Sequence, residues 1–362
     1  MSVTVEYKCP SCGGGVQFDS ASQQMKCPYC GTSFKMEDAK ALQDVMAEDR
    51  DDHCEWESYA AQSCSGDWKE GEQEAMRRYS CQSCGGEIVT DGSTAATSCP
   101  YCGNPVVLQG QLEGMWRPDM VVPFRLDKNA AKEALKAHLK GKFFLPDSFK
   151  TENHIDSIQG VYVPFWLFDA RADGAARFRC TNVHHSSDAH YDYTRTDYFM
   201  VLRSGSVDFA KVPVDGSSKM DDIMMEAIEP FDYTQAVDFE TAYLSGYLAD
   251  KYDVDAQHSE PRANERIRTS TLAMLRESVG PYTTCQSDGC SISLCGGKVR
   301  YALLPVWVLN SKYHGKDYPF AMNGQTGRFI GDLPLDKAKM LRCFFAVFAA
   351  VGAAAAAVAC LI

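Results

Sequence analysis

The chain has 362 residues, 45% of them hydrophobic and 23% charged, which suits a folded protein with room for two or three domains. A net charge of −12 argues against a protein built to lie along phosphate backbones. Sixteen cysteines would fit a disulfide scaffold, but MSVTVEYKCP offers neither the basic nor the apolar part of a secretion signal, so a reducing cytosolic setting is expected.

The first element, residues 1–35, carries two CxxC pairs, Cys9/Cys12 and Cys27/Cys30. The same pattern returns at residues 79–110 as Cys81/Cys84 and Cys99/Cys102, every cysteine displaced by 72 positions. Two such pairs at this separation predict a four-thiolate metal site, and a duplicate in register predicts two. Each CPxCG turn needs a residue that tolerates positive φ after its second cysteine, and glycine stands there. Short hairpins are expected between the knuckles, at residues 16–23 and around Asp91-Gly92. A unit this small buries too little apolar surface to fold alone, so two structural Zn²⁺ ions are expected to stabilise it. Iron of the rubredoxin type is the alternative, since thiolate knuckles suit both ions.

Residues 36–78 are strongly acidic and lack a sustained apolar period, which predicts a solvated, partly helical or disordered linker. Cys54 and Cys64 within it fit no knuckle spacing and read as free thiols. Residues 119–334 are expected to form an α+β domain with a mainly antiparallel sheet. Its helices are predicted at 128–140, with Asp127 as N-cap and Gly141 as stop, then from near Ser218 to before Pro230, at 240–250 and at 260–279. Strands are expected at 160–170, 176–183, 191–203, 207–213, 299–310, 318–322 and 328–330. VYVPFWLFDA (161–170) and YALLPVWVLN (301–310) share one pattern, read either as an internal repeat or as the common composition of buried strands. The proline in each suggests an edge or a bulge. The final stretch, 343–362, has no charged side chain and is long enough to span about 30 Å of hydrocarbon, with Lys337, Lys339 and Arg342 before it. It predicts a C-terminal transmembrane helix, with the bulk of the chain tail-anchored and facing the cytoplasm.

Chemistry beyond the cysteines is sparse. No GxxxxGK[ST] phosphate loop, GxSxG or HExxH occurs. His184, His185, Asp188 and His190 read as a polar loop, and Cys285, Cys290 and Cys295 are spaced too widely for a knuckle. Asp215, Asp221 and Asp222 could form an acid pair, although a serine cap at Ser217 or Ser218 explains the segment equally.

The paired ribbons, SCPYCGN, PDMVVPFRLDKNAAKEALKAHLKGK, GVYVPFWLFDA, VPVDGSSKMDD and FAMNGQTGRFIGDLP together resemble an uncharacterised bacterial family of proteins containing transcription-factor-IIB-type zinc ribbons. The resemblance implies zinc and membrane attachment, and no reaction. Some relatives carry a primosomal replication-restart helicase label, an activity this chain cannot supply without a phosphate loop. The resulting expectation is a membrane-tethered, non-enzymatic zinc-ribbon protein that binds or scaffolds other proteins, with nucleic acid disfavoured as a partner. The rivals are an enzyme whose site lies within 119–334 and a nucleic-acid-binding regulator.

Overall fold

A computed structural model describes residues 7, 9, 14–37, 56, 68–69, 71–111, 115–151 and 155–361. In chain order the strands and helices are β1 (Gln17–Asp19), β2 (Gln24–Lys26), β3 (Ser33–Phe34), β4 (Met76–Cys81), β5 (Glu87–Asp91), β6 (Val106–Gln111), β7 (Met120–Val121), α1 (Lys128–Leu139), β8 (Gln159–Ser187), β9 (Asp192–Asp215), α2 (Asp222–Ala227), β10 (Val237–Asp238), β11 (Leu248–Asp250), α3 (Ala256–Glu277), β12 (Thr284–Tyr313), β13 (Lys316–Asn323), β14 (Phe329–Gly331) and α4 (Lys337–Leu361). They divide into two units: Met1–Gln62, Leu167–Val214 and Glu260–Val299 make one, and Ser63–Trp166, Asp215–Ser259 and Arg300–Ile362 the other.

In the first unit, β1, β2 and β3 form an antiparallel sheet, as the turn chemistry at Asp19 predicts. Elsewhere in that unit α3 packs Ile267 and Leu275 against strand residues Ala172, Phe178 and Ile292. Gly174 makes this approach possible, because a Cβ there would come within 2.9 Å of the Thr271 methyl. Most of the acidic segment, Cys54 and Cys64 included, lies outside the described residues. Trp56 does not: its indole N–H donates to Asn264 Oδ1 at 3.1 Å and its ring meets Phe168 edge-on.

In the second unit the sheet order is β10-β7-β12-β8-β11-β5-β4-β6, with β13 on β12 and β14 on β13. Two of its pairings, β7 with β12 and β8 with β11, are parallel. Their registers expose a duplication. Val121 pairs with Leu303, two residues before Pro305, and Ala249 pairs with Tyr162, two before Pro164. Trp307 donates its indole N–H to Leu126 O at 3.2 Å, and Trp166 donates to Val254 O at 2.9 Å. Leu126 and Val254 each lie five residues beyond the paired strand residue and directly precede an aspartate at the start of a helix. Asp127 caps α1 through Ala130 N, and Asp255 accepts from His258 N in α3. Gly324 N donates to Pro305 O and Gly216 N to Pro164 O, and each glycine carbonyl receives two amides of the segment preceding the helix. The resemblance of 161–170 to 301–310 is therefore structural. The two copies exchange their strand–helix segments, each lying against the other copy's long strand. α1 closes this core with Ala131, Leu135 and Leu139 against Trp307, Leu309 and Phe320.

Several expectations are corrected. Residues 240–250 are not a helix: a short 3₁₀ turn (Thr241–Leu244) leads into β11, because the segment completes the sheet beside β5 and β8. The helix expected from near Ser218 to before Pro230 is confined to α2, capped by Asp221 and not by Ser217 or Ser218. α3 begins at Ala256, so Pro261 lies inside its first turns rather than at its start. Pro164 and Pro305 occupy interior strands, where the carbonyl of each serves its glycine partner. The largest correction concerns the C-terminus. Among the described residues no helix is long and apolar enough to cross a membrane, so the transmembrane helix, the tail anchor and the membrane localisation are not supported. The first six residues of α4 include Lys337, Lys339 and Arg342.

The duplicated turns differ in tightness. A Cβ at position 324 would fall within 2.7 Å of the Phe124 ring and 2.9 Å of Pro305, whereas at position 216 its nearest neighbour is 3.1 Å away. Gly324→Ala is expected to destabilise the unit by about 1–3 kcal/mol and Gly216→Ala by distinctly less, as read by the shift in thermal midpoint of the two variants.

Candidate metal centre

The knuckles form because a tight turn directs successive amides at one sulfur. In the second ribbon Cys81 N donates to Gly86 O at 2.9 Å and Gly85 N to Cys81 O at 2.9 Å; Cys99 N to Asn104 O and Gly103 N to Cys99 O repeat the arrangement. Gly85 and Gly103 sit at φ of 71° and 72°, where a side chain would be strained. The sulfurs of Cys81, Cys84, Cys99 and Cys102 all lie within 4.8 Å of one another. Asn104 Nδ2 reaches Cys102 Sγ at 3.4 Å, a contact to the outer side of the cluster that the motif SCPYCGN carries but spacing alone does not reveal.

In the first ribbon Cys9, Cys27 and Cys30 gather in the same way, with Cys9 N bonded to Gly14 O and Cys27 N to Thr32 O. Cys12 lies outside the described residues. The two groups of cysteines could each hold a metal ion. They differ at the residue before the last ligand: Tyr29 is 78% exposed, whereas its counterpart Tyr101 is buried.

Electrostatics favour a cation in the second cluster. Burial opposes ionisation of Cys81, but the N–H groups of Cys84 and Ser83 and the neighbouring thiols outweigh it and bring its pKa down to about 7. Burial, reinforced by adjacent sulfur, pushes Cys84 and Cys99 up. One thiolate therefore forms readily, while four at this separation need a positive ion among them. The donor set fits a soft or borderline ion such as Zn²⁺, and a closed set of four sulfurs leaves no position for substrate. Cys84→Ser is expected to remove one equivalent of metal per chain by elemental analysis and to lower the thermal midpoint, with the first cluster's metal retained.

This ribbon is continuous with the sheet. β5 pairs with β4 on one side and β11 on the other. The hairpin expected at Asp91-Gly92 does not close: residues 94–98 return without forming a strand, apart from a bridge between Ser98 and Pro105. They instead wall a cavity of about 440 Å³ together with Lys128, Gln159, Gly160, Tyr247 and Trp307. Its lining contains hydroxyls, an amide and one ammonium group, but no carboxylate or imidazole.

Behind the knuckle lies an acidic group that sequence reading only half found. Asp250 (1% exposed) accepts from Ser217 Oγ at 2.5 Å, and Asp215 (9% exposed) accepts from Ser217 N at 3.0 Å. Asp215 Oδ2 has no hydrogen-bond partner among the described residues, and the Tyr101 hydroxyl faces the Asp250 carboxyl. Asp221 and Asp222, the expected companions of Asp215, belong to the start of α2 instead. Asp253 is separately paired with Lys219 at 2.9 Å. Burial raises Asp250 to about 7 and Asp215 well above the usual carboxylate range. Asn323, the duplicate of Asp215, shows what this position favours: its amide N–H groups reach Ile228 O and Pro230 O, a donor that a carboxylate has only when protonated.

A raised folded-state pKa contributes stability that is complete below the unfolded value, about 4, and is lost as pH rises through the folded value, which is about 7 for Asp250. Asp215→Asn is therefore expected to melt with the parent near pH 4–5 and about 1–3 kcal/mol above it near pH 8. Comparison at each pH in saturating metal separates this effect from thiolate protonation, which acts in the opposite direction.

No known protein-family profile matches the chain, and no solved structure does. It is 32% identical over 315 residues to "Uncharacterized protein YdjG" of Bacillus subtilis (strain 168), the match covering 74% of this chain and 92% of that protein. Identity at that level over nearly all of the relative places the chain in the same family as YdjG.

Proposed function

We propose that the chain is a zinc-holding, non-enzymatic module that binds other proteins, its metal ligands being Cys9, Cys12, Cys27 and Cys30 in one site and Cys81, Cys84, Cys99 and Cys102 in the other. The observation that carries this reading is the closed four-sulfur cluster built into the edge of a sheet, where an ion stabilises a surface and meets no substrate. Two features weigh against catalysis. The acidic pair Asp215/Asp250 is buried, and the lining of the cavity beside the ribbon has no carboxylate or imidazole. A nucleic-acid reading is weakened because Glu87 engages both Arg78, at 3.6 Å, and Lys251, at 2.9 Å, and the chain as a whole carries a net charge of −12.

Elemental analysis of the purified chain is expected to give zinc at two equivalents, without the visible absorption of iron–thiolate centres. The full chain used as bait is expected to retain at least one protein that is lost when zinc is stripped and again in Cys84→Ser. Identical recovered sets under all three conditions would overturn the protein-binding reading, and iron in place of zinc would overturn the choice of metal.

A further inference from the structure

Outside the metal clusters, one pair of cysteines is brought together by the fold alone. β8 and β12 are neighbours, and in the first unit their contacts run in opposite senses. Arg177 reaches Asp288, the Thr181 and Thr284 hydroxyls meet at 2.5 Å, and Val183 N donates to Thr283 Oγ1 at 3.1 Å. The strands are thus antiparallel here and Cys180 stands opposite Cys285. Both side chains join the core cluster of Ala176, Phe178, Val201 and Leu275. Residues opposed in an antiparallel ladder have Cα atoms roughly 4.5–5.5 Å apart, inside the range of about 4.4–6.8 Å that a disulfide accepts.

We propose that Cys180 and Cys285 form a redox-active dithiol that closes reversibly into a cross-strand disulfide by exchange with a low-molecular-weight disulfide. The two thiols are placed for different steps. Cys180 is fully buried, whereas Cys285 is partly exposed and can meet a dissolved reagent. Arg276 donates to the Cys285 carbonyl at 3.2 Å, which ties the backbone at that residue to α3. Burial, with Cys285 adjacent, pushes the Cys180 thiol up to about 11, so Cys180 stays protonated until it is needed.

In the first step the Cys285 thiolate attacks one sulfur of the small disulfide. That S–S bond breaks, one small thiolate leaves, and Cys285 is held as a mixed disulfide. Cys180 then gives up its proton to the released thiolate and attacks the Cys285 sulfur, expelling the second small thiol. Two protein thiols are oxidised, and one disulfide is reduced to two thiols. Cys290 and Cys295 are exposed farther along β12 and do not oppose Cys180.

The test treats the full, metal-loaded chain with oxidised glutathione, quenches in acid, alkylates under denaturing conditions and maps the unreduced peptides by mass spectrometry. The expected product is a peptide pair joined through Cys180 and Cys285 and lost on treatment with dithiothreitol. Cys180→Ser, checked for folding by unchanged metal content, is expected to trap Cys285 as its glutathione mixed disulfide. The proposal is overturned if wild-type Cys180 remains fully alkylated while Cys285 carries glutathione, or if Cys285 links to Cys290 instead.

Discussion

Two indole hydrogen bonds hold the second unit in register. Trp166 donates to a carbonyl of the segment before α3, and Trp307 donates to the matching carbonyl before α1. Each tryptophan also meets an aromatic ring of that segment, Tyr252 for Trp166 and Phe124 for Trp307. Because the segments are exchanged, neither copy can complete its own sheet. Burial of two indoles with their N–H groups satisfied ties both halves into one cooperative structure. β11, which belongs to this exchange, is also the strand on which the second ribbon is hung.

Duplication followed by divergence accounts for the chemistry of the second unit. Asn323 and Asp215 occupy the same turn in the two copies, yet one presents an amide with its donors satisfied and the other a carboxylate with a bare buried oxygen. Asp250, which completes the acidic pair, corresponds to Val122 in the other copy. The two ribbons diverged in a similar way. The knuckle tyrosine is exposed in the first and buried in the second, so the second ribbon is packed into its surroundings to a degree the first is not. A metal at the second cluster would therefore support the sheet as well as its own loop.

The cysteine pattern was legible because ligand geometry is written locally, in spacing and in the glycine after each knuckle. α1 was legible for the same reason, with Asp127 and Gly141 marking its ends. The repeat at 161–170 and 301–310 could be seen, but not its meaning, since strand exchange is set by pairings between residues far apart in sequence, Val121 with Leu303 and Ala249 with Tyr162. Residues 240–250 carry helix-forming residues, and the demand for a strand between β5 and β8 overrides that preference. Asp250 gave no local sign of its place beside Tyr101. The C-terminal stretch reads as a span from its length and lack of charge, whereas among the described residues no helix is long and apolar enough to cross a membrane.

Amide hydrogen exchange on the full chain, with zinc bound and after chelation, tests most directly the claim that the second ribbon's metal is part of the sheet's support. The account predicts that chelation accelerates exchange in β4, β5 and β6 and extends to β11, while α1 and β13 stay protected. Unchanged protection in β11 and β5 after the metal has been removed would contradict it.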